Sequence, residues 1–178
     1  SPTVLTIPMF FIEAFQTSED YYIRPLYTLI TRNIRLIAFV ISILAPSLYV
    51  ALVTFHQELI PTTLLFTIVS SREGLPFPGI FEISIMLIVY EILREAGIRM
   101  PKTLGPAISI VGALVLGETA VNAGVVGPAV LIVVALTSVA SYVVPTLVDA
   151  GIYIRFILLI LASVLGMYGI IIGVLGLL

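Results

Sequence analysis

The chain reads as an all-α, polytopic helical membrane protein with about five transmembrane helices plus a short re-entrant or interfacial helix. Three observations lead there. Only 10% of the 178 residues are charged and 60% are hydrophobic, whereas an ordinary soluble domain carries roughly 25% charged residues. So few polar groups could not cover a water-facing surface, and the mean hydropathy of +1.23 says the same. Uncharged runs reach the length of about 20 residues that a helical crossing needs. Small residues also recur at helical spacing in two of those runs, a pattern that lets backbones approach closely in lipid.

Residues 1–33 are expected to form a juxtamembrane or interfacial segment that follows a soluble domain. The opening SPTVLTIPMFF has no basic stretch before its apolar run, so it does not read as a signal peptide, and the chain is expected to be a piece of a longer protein. Tyr21, Tyr22 and Tyr27 lie beside Arg24 and Arg32, and amphipathic rings favour the headgroup level. A surface-lying elbow and a plain interfacial anchor both fit.

Residues 34–178 form the transmembrane helical domain. Leu36–Phe55 is uncharged between Arg35 and His56, with Pro46 as the expected kink. Leu59–Ser71 has 13 residues without a charge, too short for a straight crossing and suited to the half-segment. Gly74–Ile92 follows, carrying Glu82 and Glu91, then Pro101–Ala123 with Glu118, and the uncharged Val125–Val148. Arg155 precedes 23 uncharged residues that form the last crossing. Short-loop Lys and Arg set orientation. Arg24, Arg32 and Arg35 form one basic cluster and Arg94, Arg99 and Lys102 another, so both are expected on the cytoplasmic side.

Ala162, Gly166, Gly169, Gly173 and Gly176 follow a 3.5-residue period in the last crossing, and Ala113, Gly117, Ala120, Gly124 and Gly127 repeat it in the third. That is the spacing of a left-handed helix seam. Opposite the second stripe lie Ile108, Val111, Val115, Glu118, Asn122 and Val125. A carboxylate facing lipid would cost about 2.5–3.5 kcal/mol, and an intramembrane charge is by default a functional candidate. Glu118 therefore faces a watery lumen, snorkels to the outer end, or pairs with another subunit.

Other polar residues read more plainly. Glu91, Arg94, Glu95 and Arg99 fit a solvated helix end with an i,i+4 pair, and Glu82 fits an inter-helix contact. His56, Gln57 and Glu58 fit a polar cap between two membrane segments. One His and no HExxH leave no zinc motif, and the absence of cysteine removes disulfides and thiolate chemistry. A net charge of −2 without a basic stripe argues against nucleic acid. With no GxSxG, phosphate loop or paired intramembrane aspartates, neither an enzyme nor a cofactor is predicted.

Five blocks occur in collinear order: FQTSEDYY at 15–22, TFHQELIPTTLL at 54–65, SREGLPFP at 71–78, EILREAGIRMP at 91–101 and SIVGALVLGETAV at 109–121. Together they resemble the membrane region of the A subunits of spore germination receptors, the GerA-type family with its spore-membrane relatives. The resemblance runs from about Leu5 to the C-terminus. It implies a soluble N-terminal domain, residence in the inner membrane of the bacterial endospore, and work beside a permease-like B subunit and a lipoprotein C subunit. It also implies a ring, possibly pentameric, that conducts monovalent cations in response to nutrients, with the nutrient pocket in the B subunit. Glu118 departs from the family pattern, which more often has Gln there. A receptor subunit and an amplifying relative both fit the resemblance.

The resulting expectation is a homo-oligomeric gated cation channel lined by the third crossing. Val111 and Val115 form a constriction that gates by dewetting, and Glu118 and Asn122 form a cation-attracting mouth. Pro46, Pro106 and Pro128 are candidate bending points. A solute transporter is a second class, although no inverted repeat of the usual kind is visible. A non-conducting scaffold for partner subunits is a third.

Overall fold

The computed structural model describes residues 15, 16, 20, 22, 24–99, 105–144 and 147–177, with only the backbone described at 105–111 and 114. Among these residues all regular structure is helical. The elements are α1 (Pro25–Thr54), a short 3₁₀ turn (Gln57–Leu59), α2 (Thr62–Arg72), α3 (Gly79–Arg99), α4 (Gly105–Asn122), α5 (Pro128–Tyr142), α6 (Val148–Leu165) and α7 (Met167–Leu177). Two of them, α1 and α6, are long and apolar enough to cross a membrane, and α5 and α7 are apolar but shorter.

Local chemistry sets the helix ends. Pro25 and Pro128 sit at the first positions of α1 and α5, where a missing N–H costs nothing and the fixed φ is already helical. The end of α4 is a Schellman cap. Gly124 N–H donates to the Val121 carbonyl and Val125 N–H to Ala120, both at 3.0 Å, with Gly124 at φ +63°. That left-handed conformation is the glycine's purpose there.

Helix directions follow from the contacts. Ser42 of α1 meets Arg155 of α6, and a side chain at Gly166 would touch Phe55 and His56 just past α1. Helices α1 and α6 are therefore parallel. Glu82 and Tyr90 of α3 meet Gly127, the N-cap of α5, and Ser141 of α5 in the same order along both helices, so α3 and α5 run together. They oppose α1, because Glu91 shares Arg155 with Ser42 while Tyr49 lies beside the Arg72–Glu82 pair. Both ends of α2 thus stay at one end of the bundle. Arg24, Arg32, Arg35, Arg94 and Arg99 gather at the opposite end.

The core lies where α1, α3, α5 and α6 converge, around Val50, Ile83, Leu87, Val130 and Leu159. Helix α4 lies at the edge, against α3 and α5. Large apolar side chains also point outward from every side: Leu26 is 78% exposed, Phe66 75%, Ile132 68% and Tyr168 71%. Water-soluble monomers rarely expose such a continuous apolar surface.

Residues 25–33 open a 30-residue helix about 45 Å long. Tyr21 and Lys102 lie outside the described residues. Two expectations are corrected. The last crossing is not one helix after Arg155: α6 starts at Val148 and encloses Arg155, and the chain breaks at Gly166, φ +62°. There α7 folds back on α6. Finally, Gly124 and Gly127 do not extend the α4 packing stripe, since one caps α4 and the other is the N-cap of α5.

Candidate functional site: an outward face on α4 and two buried charge clusters

Helix α4 turns glycine toward its neighbours. An added Cβ at Gly112 would lie 3.1 Å from Leu93 of α3, and one at Gly117 would lie 2.6 Å from Leu131 of α5. Ala120 packs against the core, while Ala113 is exposed. The inner seam of α4 therefore begins at Gly112, one residue from the expected stripe.

On the other side, Val115 is 54% exposed, and Glu118 and Asn122 are exposed with it; Leu116 and Thr119, nearer the seam, are exposed as well. The Thr119 hydroxyl donates to the Val115 carbonyl at 2.6 Å, so it is satisfied within the helix. Glu118 has no hydrogen bond or ion pair among the described residues. The side chains of Ile108 and Val111 lie outside the described residues; their backbone is helical.

Of the remaining small residues, Ala162 is fully buried beside Ala51 and Ile170. A Cβ at Gly169 would collide with the Leu161 carbonyl, and one at Gly173 with Leu158. Both glycines therefore let α7 lie directly on α6. Gly166 makes the turn between them, and Gly176 faces open space.

The first charge cluster is at the α2 end. Glu82 is 0% exposed, accepts the Gly127 N–H at 2.9 Å and meets Arg72 Nη2 at 3.2 Å. One carboxylate thus caps α5, where the helix dipole favours negative charge, and anchors α2. The expected inter-helix role of Glu82 is what the geometry places there.

The second cluster lies nearer the basic end. Arg155 is 1% exposed; its Nε donates to the Ser42 carbonyl at 2.8 Å and its Nη1 to Glu91 at 3.2 Å. Arg94 lies 3.0 Å from the other Glu91 oxygen. Glu91 is therefore part of an inter-helix cluster and not of a solvated helix end, whereas the exposed Glu95–Arg99 pair at 2.7 Å matches the expectation. Beside it, Tyr90 and Ser141 hydroxyls are 3.3 Å apart. A crevice of about 10 Å³ between Phe39, Ser42, Gly151 and Arg155 has room for one water at most.

Sequence reasoning missed Arg155, treating it as the boundary of a crossing. The available signal was charge arithmetic: a lone Arg inside a long apolar stretch needs a carboxylate, and Glu91 was the deep one left over. Arg72 was missed in the same way as the partner of Glu82.

The family model of the Bacillus/Clostridium GerA spore germination protein matches residues 1–178. Spore germination protein KA of Bacillus subtilis (strain 168) is 49% identical over 176 residues, covering 98% of this chain and 32% of its own. Membrane protein YfkQ of the same organism, described as uncharacterized, is 46% identical over 175 residues, 97% of this chain and 34% of its own. Spore germination protein GerLA of Bacillus cereus is 41% identical over 179 residues, 99% of this chain and 36% of its own. The chain spans about a third of the length of the curated relatives it matches. No solved structure matches. With the family model covering the whole chain, and relatives sharing up to 49% of its residues, this chain belongs to the GerA family of spore germination proteins.

Proposed function

We propose that this chain is the membrane part of a nutrient-responsive spore germination receptor subunit, and that copies of it assemble around an axis as a gated cation channel. Helices α1, α3, α4, α5 and α6 are its five crossings, and α2 stays at one face. The apolar exterior supports a lipid surround, and the alternating helix directions with basic residues gathered at one end support the orientation. In this reading the protein resides in the inner membrane of the endospore. A soluble domain precedes residue 1, which fits relatives about three times as long. A permease-like B subunit and a lipoprotein C subunit are its partners, and nutrient binding belongs to the B subunit.

The observation that carries the channel reading is Glu118. It stands on the face of α4 turned away from the bundle, among apolar neighbours, with no partner among the described residues. At membrane depth such a carboxylate is costly unless water or another subunit meets it. Copies that face one another through α4 supply both, and a ring of such carboxylates attracts cations. Val115, one turn along, and Val111 before it form the constriction that closes by dewetting. Ile108 continues the lining and Asn122 widens the mouth.

The test is conductance of the intact protein in planar bilayers. A cation-selective current is expected, with selectivity over chloride reduced in Glu118→Gln. Equal selectivity in the variant would take Glu118 off the ion path. A correctly assembled protein with no current would instead support a scaffold for partner subunits.

A further inference from the structure

We propose that Arg155 is a latch on a proline break in α1, holding the N-terminal half of that helix at a fixed angle to the bundle. Pro46 lies inside α1 and has no N–H, so the carbonyl four residues earlier loses its helical donor. That carbonyl belongs to Ser42, and it is the one that accepts the Arg155 Nε–H at 2.8 Å. The same guanidinium is tied to Glu91 of α3 at 3.2 Å. The bond that Pro46 removes from α1 is thus replaced by one from α6, which α3 holds in place. The angle at the break is set by other helices.

What the latch restrains is a lever. Before Ala38 the helix buries only Thr28, and Leu26, Leu29, Ile30, Ile34 and Ile37 are each more than half exposed. Its polar and aromatic contacts run to Phe15 and Asp20, which precede it in the chain (Arg35 to Asp20 at 2.7 Å, Thr28 to the Asp20 carbonyl at 3.1 Å, and the Phe15 ring edge-on to Phe39), so the proline governs where this half points relative to the bundle. The inference depends on helix contacts alone, and stands or falls separately from conduction.

Spin labels at Ile30 and Ile98, both exposed and both at the basic end, measure the lever's position in the intact protein in liposomes. The original protein is expected to show one narrow distance. Ile30 is 16 residues from Pro46 (46 − 30), about 24 Å along the axis. A swing of about 20°, the onset of a sharp proline kink, therefore moves Ile30 by about 8 Å. Arg155→Gln should shift or broaden the distance by up to that amount. Adding Pro46→Ala restores the N–H that Ser42 lacks and should return the distance to its original value. Loss of an ordinary inter-helix ion pair would not be repaired that way. An unchanged distance in Arg155→Gln, or no rescue by Pro46→Ala, overturns the proposal. Should Arg155→Gln fail to insert, Arg155→Lys takes its place with the same expected shift and the same rescue, because one ammonium cannot reproduce the guanidinium's forked geometry.

Discussion

Replacing Glu82 by Gln is expected to destabilise the bundle by about 2–3 kcal/mol. The side chain is 0% exposed and serves two donors, the Gly127 N–H at 2.9 Å and Arg72 at 3.2 Å. An amide of the same shape keeps one acceptor oxygen and presents an NH₂ to the other donor. Hydrogen bonds to a charged group contribute about 1.5–3 kcal/mol and neutral ones about 0.5–1.5, so each bond weakened costs about 1 kcal/mol or more. Breaking a buried ion pair outright costs about 3–5 kcal/mol. Arg72 is 23% exposed along its side chain and can turn partly toward solvent, which keeps the total below that range. The assay is reversible unfolding in mixed detergent micelles, run as a double-mutant cycle with Arg72→Met. If the pair is coupled, the double variant should lose at least about 1 kcal/mol less than the sum of the singles. Additivity within about 0.5 kcal/mol would refute the reasoning, because independent sites add to that tolerance.

Three further outcomes are expected. Gly169→Ala places a methyl on the Leu161 carbonyl and should lift α7 at a cost of about 1–3 kcal/mol, read as lost cysteine cross-linking between α6 and α7; Gly176→Ala, facing open space, should leave it intact. Gly124→Ala forces a side chain into φ +63° and should lower the unfolding free energy by about 1–2 kcal/mol, read from denaturant titration, with Gly124→Asn milder. Val115→Ala should raise leak current through the reconstituted protein, and an unaltered current would remove Val115 from the gate.

Hydropathy made most of the helices legible, because a long uncharged run has few other uses. The short helix α2 was legible for the same reason: the uncharged run from Leu59 to Ser71 is too short for a crossing. Glycine spacing was less informative. A step of 3 or 4 residues suits a packing stripe, but it equally suits a helix followed by its cap, and Gly124, Gly127 and Gly166 prove to be turn and cap positions. Arg155 misled for a physical reason. Charges usually flank crossings, and nothing local reveals that this one answers a carbonyl 113 residues earlier in the chain. The outward face of α4 was inferred from the stripe opposite the small residues, and Val115, Glu118 and Asn122 do stand exposed there. Whether that face meets its own kind depends on other copies of the chain, and the order of residues in one chain does not encode that geometry directly.

The two leucines that meet α4 also act as keys in slots. Leu93 sits in the notch at Gly112 and Leu131 in the one at Gly117, from different neighbours. Spinning α4 about its own axis would bring bulkier residues against both leucines, so its rotation is coupled to a shift of those two side chains. On the proposed channel reading, widening a path along the outer side of α4 would move α3 with it, the neighbour it packs against most closely.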